Sequence, residues 1–189
     1  MEDQYYKTSE SVKEYIAAAQ GFDGQRLIQK LHKFLPSGST VLEIGSGPGT
    51  DFQLLKKAYS VVGSDFSEQF IAHLEKKNPN DLFLHLDAET LQTDKKFDAI
   101  YSNKVLQHLT NDGLKNSISR QKDILKPEGI ICHSFWKGEG DEIFKGMLVN
   151  YQTSGSIKEM FQKDFKLLIP EEYAEFEEGD SLLVIGKKK

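Results

Sequence analysis

The chain has 189 residues, enough to bury a real core within one domain. Apolar residues make up 38% and charged residues 28%, an ordinary balance for a soluble globular protein. The formal net charge of −5 argues against a nucleic-acid partner, whose footprint is a basic face, and no apolar run approaches the roughly 18 residues of a membrane span.

Two helical patterns open the chain. "SESVKEYIAAA" places Val12, Tyr15, Ile16 and Ala19 at helical spacing, and "GQRLIQKLHKFL" does the same with Leu27, Ile28, Leu31, Phe34 and Leu35. "PSGS" breaks the pattern. From there strands and helices alternate. "TVLEIG" reads as a strand, Thr50 to Lys57 as a helix, and "YSVVGSD" as a second strand. "SEQFIAHLEKK" is a helix that Ser67 is placed to cap. "DLFLHLD" and "KFDAIYSN" are the third and fourth strands. "NDGLKNSISRQKDIL" is a helix ending before the turn "KPEG", and "IICHSFW" is the fifth strand. Short apolar strands separated by helices imply right-handed crossovers and a parallel sheet covered on both faces. The ending differs. "SIKEMFQKDF" is a helix with Ser156 and Glu159 at capping-box spacing. "EEYAEF" and "SLLVIG" follow, joined by "EEGD", which makes a hairpin with one strand reversed. The expected fold is α/β, a Rossmann-like doubly wound sheet of seven strands, mostly parallel, with one antiparallel strand from the C-terminal hairpin.

"TVLEIGSGPGTDF" carries the chemistry. In an open parallel sheet, ligands bind beyond the carboxyl ends of the strands, where Gly45, Ser46, Gly47 and Gly49 fall. A dinucleotide site uses G-x-G-x-x-G to seat a diphosphate on free N–H groups. Here the pattern is G-x-G-x-G, Thr50 stands at the last glycine's place, and Pro48 has no N–H to offer. Glu43 before the loop and Asp51 after it are both acidic. Unit charges a few ångströms apart interact by about 1 to 4 kcal/mol, depending on exposure. That balance disfavours a diphosphate and favours a nucleoside with cationic groups, such as S-adenosyl-L-methionine.

Further acids follow at strand ends. Asp65 follows Gly45 by about 20 residues, where an acid can accept hydrogen bonds from ribose hydroxyls or, alternatively, cap the next helix. Phe66 is a candidate for an adenine face or for the core. Asp87 and the Ala88 N–H can meet an adenine edge, with a helix cap as the alternative for Asp87. Ser102 and Asn103 fall at the end of the fourth strand, with Leu106 and Gln107 just beyond. His108 is either a proton acceptor or a structural histidine. No metal-ligand spacing is visible among the five histidines, and Cys132 is the only cysteine. One cysteine allows no internal disulfide, and the polar opening "MEDQYYKTSE" resembles no signal peptide, so a cytoplasmic location is expected.

"VLEIGSGPGT", "VVGSDFSEQFI", "LHLDAETL" and "FDAIYSNKVLQHL" resemble the successive motifs of class I S-adenosylmethionine-dependent methyltransferases, most closely the small single-domain bacterial type. The resemblance is strong from about Thr40 to Trp136 and weaker beyond. It implies that the loop from Gly45 to Gly49 packs against the methionine moiety. It also implies Asp65 at the ribose, Asp87 with Ala88 at the adenine, and Ser102 or Asn103 at the methionine end. It implies one methyltransferase domain over 1–189. Residues 1–36 would be a possible lid carrying Tyr5, Tyr6 and Tyr15, residues 40–136 the cofactor-binding core, and residues 137–189 the substrate side and hairpin. Nucleobase amino-methyltransferases carry an N-P-P-Y-like motif after the fourth strand; "SNKV" stands there instead. The expected partner is a small-molecule methyl acceptor with an O, N, C or S nucleophile, walled by the N-terminal helices and the segment from Trp136 to Gly155. There Trp136, Phe144 and Tyr151 are either an apolar wall or ordinary packing of a helix on the sheet. A monomer or homodimer is expected. The competing readings are an NAD(P)-dependent oxidoreductase and an inactive methyltransferase-like binding module.

Overall fold

The computed structural model describes residues 9–19 and 21–189. Two helices lead, α1 (Ser9–Ala18) and α2 (Gln25–Leu31). The alternating part comprises β1 (Thr40–Ile44), α3 (Thr50–Leu55), β2 (Ser60–Asp65), α4 (Glu68–Lys77), β3 (Leu82–His85), β4 (Phe97–Asn103), α5 (Asn111–Ile124) and β5 (Leu125–Trp136). A single 3-10 turn, Leu106–His108, separates β4 from α5. Then come β6 (Asp141–Phe144), β7 (Met147–Asn150), α6 (Ser154–Gln162), β8 (Phe165–Tyr173) and β9 (Ser181–Lys188).

Seven strands form one sheet in the order β3-β2-β1-β4-β5-β9-β8. All pairings are parallel except those of β9, which runs antiparallel to both β5 and β8. The expected reversed strand is thus β9, one place in from the edge. The chain winds outward from β1 to β3, then returns to β4 on the other side of β1. This reversal opens the crevice where such sheets bind ligands.

Side-chain alternation divides the core between the two faces. Leu42, Ile44, Ile100 and Ile131 pack with α5 and α6 through Ile118, Ile124, Ile157 and Phe161. Val41, Ala99, Tyr101, Ile130 and Cys132 pack on the other face with Leu27, Ile28 and Leu31 of α2.

Several local expectations change. The second helical pattern stops at Leu31, and Phe34 packs from a turn. The reading of "KPEG" as a turn is replaced by a kinked strand. Glu128 takes a φ of 64°, and the β4–β5 register slips between Phe97 and Ala99, so β5 begins at Leu125. Ser67 caps α4 as expected, accepting from Phe70 N. The capping box of α6 is Thr153 with Ser156, not Ser156 with Glu159, because the helix starts two residues earlier. Residues 141–150 form a hairpin whose two turn residues, Lys145 and Gly146, have φ of 51° and 82°. Among the described residues no helix is long and apolar enough to cross a membrane.

A buried polar chain crosses the α5 face. Ser102 Oγ lies 2.8 Å from His133 Nδ1, and His133 Nε2 lies 2.7 Å from Gln121 Oε1. Gln121 Nε2 donates to Ser117 Oγ, which donates to the Ala88 carbonyl. Gln121 Oε1 only accepts, so Nε2 carries the imidazole proton and the ring is neutral. Burial holds His133 down at about 3, against an ordinary 6.5. The folded state therefore resists a proton that the unfolded state takes up below pH 6.5. This contribution is complete above 6.5 and falls by about 1.4 kcal/mol per pH unit toward 3. Urea denaturation at pH 7 and pH 5 should show that slope, and His133→Leu, less stable at pH 7, should show a shallower one.

Candidate active site

The ends of β1, β2 and β4 meet at the crevice, and the glycine loop closes over it. Gly45 has a φ of 68°, and a Cβ there would lie 2.5 Å from a Val105 methyl, so loop and β4 approach closely. Gly47 has a φ of 47°, and among the described residues a Cβ there would meet only the Tyr15 ring, at 3.9 Å. The loop is closed by its own hydrogen bonds. Ser46 N–H donates to the Ser64 carbonyl, Gly49 N–H to the Ser46 carbonyl, and Gly47 N–H to Asp65 Oδ2 at 2.9 Å. Pro48 has none to give. From Ser46 to Gly49, no N–H remains for a diphosphate.

The acids do not form the expected charged bracket. Glu43 is buried beneath the loop and accepts from Ser46 Oγ at 2.6 Å. Burial, with the Asp51 charge adding, the Ser46 hydroxyl opposing and the Asp65 charge adding again, pushes its carboxyl up to about 8. It is therefore neutral at pH 7. Asp51 turns away from the loop, accepting from Gly24 N at 2.6 Å, Tyr101 Oη at 2.7 Å and Asn103 Nδ2 at 3.1 Å. The loop's own, already bonded N–H groups, rather than two charges, are what the structure sets against an anion.

Asp65 stands at the end of β2, half-buried. Its Oδ1 accepts from Ser67 N and its Oδ2 from Gly47 N, so it serves helix start and loop together. Burial raises its carboxyl above the ordinary value, against those two backbone donors. Phe66 beside it is 57% exposed, its ring 5.9 Å from that of His85. β3 places Asp87 next to this pair, since Leu86 N–H donates to the Asp65 carbonyl. Asp87 Oδ1 accepts from Glu89 N and Thr90 N, which makes it a turn cap, and Ala88 is half-buried. Asn103 reaches the crevice, held between Asp51 and Ser134.

Other candidates lie elsewhere. The Ser102 side chain points into the core toward His133. Leu106 and Gln107 are buried, Gln107 holding Trp136 N. His108 Nδ1 lies 2.6 Å from the Leu148 carbonyl, tying the 3-10 turn to β7. Phe144 is in the β6–β7 hairpin, apart from Trp136, and Tyr151 donates to Glu142. Tyr5 and Tyr6 fall outside the described residues; Tyr15 packs edge-on against Phe70. Sequence reasoning missed Gly24 and Tyr101 as partners of Asp51, and Lys104 and Tyr173 near the crevice. No local pattern marks these, because they meet only across strands. Among the described residues no group of three or more His, Cys, Asp or Glu side chains is placed to hold a metal ion.

Over residues 41–129, the core and just under half of the chain, the sequence matches a family model described as a methyltransferase domain. Solved structures of similar fold include a 1,6-didemethyltoxoflavin-N1-methyltransferase of Burkholderia thailandensis, with a TM-score of 0.78 and 18% identity over 95% of this chain and 84% of that one. DesVI of Streptomyces venezuelae has a TM-score of 0.77 at 16% identity over 96% and 99%. The N-methyltransferase NodS of Bradyrhizobium japonicum has 0.74 at 16% over 99% of each. A curated relative, an uncharacterized 37.1 kDa protein in transposon TN4556 of Streptomyces fradiae, is 27% identical over 100 residues. That match spans 49% of this chain and 28% of the relative.

The B. thailandensis and B. japonicum structures hold S-adenosylhomocysteine, and the residues present here fit its parent, S-adenosyl-L-methionine. The loop presents glycine backbone at Gly47, and an acid and an exposed aromatic ring stand side by side at the next strand.

Two consequences are measurable. Glu43 raises stability least at high pH: its contribution is full below about 4.5 and is lost as pH rises to about 8, by up to about 1.4 kcal/mol per unit. Glu43→Gln keeps the acceptor for Ser46, so its stability relative to wild type should rise between pH 5 and pH 8 in urea titrations. Asp51→Ala strands the Tyr101 hydroxyl and the Gly24 N–H, and should cost about 2 to 4 kcal/mol of unfolding free energy in the same assay.

Proposed function

We propose that this chain transfers a methyl group from S-adenosyl-L-methionine to a nucleophile on a small molecule. The observation that carries this reading is the closed glycine loop: no N–H from Ser46 to Gly49 is left for a diphosphate, while the acceptor Asp65 adjoins it. The same observation weighs against a nicotinamide dinucleotide.

The residues that would hold the cofactor are the backbone from Gly45 to Gly49 for the methionine part and Asp65 for the ribose. Phe66 would meet a face of the adenine, Asp87 and Ala88 its edge, and Asn103 the methionine end. A carboxylate has about four acceptor positions, and Asp65 accepts from the N–H groups of Gly47 and Ser67 with that of Phe66 also close, which leaves room for a ribose hydroxyl. Tyr15, resting on α4, stands beside Gly47 as part of a cover from the N-terminal helices. When bound, the cofactor supplies an activated methyl on a sulfonium. The chain's own contribution is to hold the acceptor in line and to exclude water. Asn103, fixed by Asp51 and Ser134, is rigid enough to orient what binds at the β4 end.

The small-molecule acceptor is supported by the named substrate of the B. thailandensis neighbour and by the net charge of −5. A cytoplasmic location fits the single, buried cysteine. Calorimetric titration should show S-adenosyl-L-methionine and its demethylated product binding and NAD not binding. Asp65→Ala should weaken the cofactor at least tenfold, about 1.4 kcal/mol, and unchanged affinity would remove the ribose role.

A further inference from the structure

Beyond the ends of β4 and β5 lies a cluster that cofactor binding leaves unused. Lys104 follows β4 with a φ of 56°, a conformation unusual for a residue with a Cβ. Its ammonium donates to the Phe135 carbonyl at 2.8 Å and to Ser181 Oγ at 2.6 Å, both neutral oxygens. It lies 3.5 Å from the centroid of the Trp136 ring and 5.4 Å from that of Tyr173. Phe176 stacks on Trp136 at 5.7 Å, and Phe22, arriving from the loop before α2, meets Phe176 at 5.2 Å. Phe22 and Phe176 are 49% and 64% exposed, so the cluster opens to solvent on that side.

Tyr173 supplies a second, independent sign. It is 4% exposed, yet its hydroxyl has no hydrogen-bond partner among the described residues. The Ser134 and Ser181 hydroxyls and the Glu175 carboxylate lie nearest and act on it, but none meets it in full hydrogen-bond geometry. Buried polar groups are nearly always satisfied, and an exception calls for a missing partner.

The surrounding charges narrow the choice of ligand. Asp180 gives its carboxylate to the N–H groups of Glu175, Phe176 and Glu177. Glu175 and Asp180 act on Lys104 through space, against the burial that lowers its ammonium to about 7. Arg26, 5.1 Å from the Tyr173 ring, is paired with Glu171, and Asp51 is reached only through Asn103. An ammonium already covers the aromatic face, so a second cation would be repelled. Glu175 and Asp180 act on that charge only through space, so a group pairing with it directly would be anionic.

We propose that Lys104 and Tyr173 form a subsite for the carboxylate of a planar methyl acceptor, whose ring lies against the exposed rings of Phe176 and Phe22. Two donors match the two oxygens, and charge-assisted hydrogen bonds satisfy the hydroxyl and neutralise the lysine. Naming this ligand as the acceptor rests on the methyl-transfer reading; the anion subsite itself does not.

Trp136 is the only tryptophan of the chain, so its fluorescence reports on the cluster. Benzoate is the probe. At pH 6.5 it should give a saturable change, while benzamide and benzylammonium, of similar shape but neutral and cationic, should bind at least about tenfold more weakly. Affinity should fall as pH rises through about 7, where Lys104 loses its proton. Lys104→Met should abolish the response and Lys104→Arg should retain it. Tyr173→Phe loses no internal bond, so it should keep or raise the melting temperature while weakening benzoate about tenfold. The subsite is overturned if benzoate gives no saturable change, if benzamide or benzylammonium binds as well, or if Tyr173→Phe binds benzoate like wild type. Should Lys104→Met fail to fold, Tyr173→Phe and the pH profile decide. A parallel calorimetric titration with S-adenosylhomocysteine separates the two readings. Its binding without a benzoate response sinks the subsite alone; a benzoate response without its binding sinks the methyl-transfer reading alone.

Discussion

One buried carboxylate joins the parts that make the crevice. Asp51, in the first turn of a six-residue helix, receives hydrogen bonds from the backbone before α2, from Tyr101 inside β4 and from Asn103 at the end of β4. The helix is too short to be stable alone, so its position depends on these ties and on Phe52 and Leu55 in the core. The loop it anchors inherits that position. Because Asn103 is also held by Ser134 on β5, Asp51 links three neighbouring elements at the carboxyl edge of the sheet.

Hydrogen-bond supply, rather than net charge, then sets what the loop can hold. Glu43 is neutral at pH 7 and lies under the loop, bonded to Ser46. Asp65 takes the Gly47 N–H. The turn is thereby self-satisfied, and it presents glycine backbone rather than an anion nest. The acids at the strand ends still matter, but as acceptors that shape the loop and leave spare lone pairs at Asp65. On the neighbouring side, beyond β4 and β5, the Lys104 ammonium bonds only neutral oxygens and the buried Tyr173 hydroxyl is unpaired among the described residues.

Much of this was legible from local pattern. Strand alternation, the Gly45–Gly49 spacing, the Ser67 cap and the C-terminal hairpin each depend on residues close in sequence, where periodicity and turn chemistry act directly. The misreadings have local causes too. The Lys145-Gly146 turn of the β6–β7 hairpin was a readable two-residue signal, but a lysine at positive φ is rare enough to hide it. The capping box was misplaced because Ser156 suits either role, and only Thr153 at the preceding extended position decides which.

The sequence by itself determined the order of strands and helices, the family motifs and the place of the ligand loop at the end of the first strand. These follow from short-range patterns that few alternative folds satisfy. Only the tertiary structure decided where the acids point. Glu43 and Asp51 look equivalent in the chain, yet one is buried and neutral while the other turns to Gly24 and β4. Only packing showed that Ser102 serves the core, and that Lys104, Trp136 and Tyr173 meet. The reason is physical: protonation and side-chain direction depend on burial and on partners 27 to 77 positions away, which no local pattern encodes.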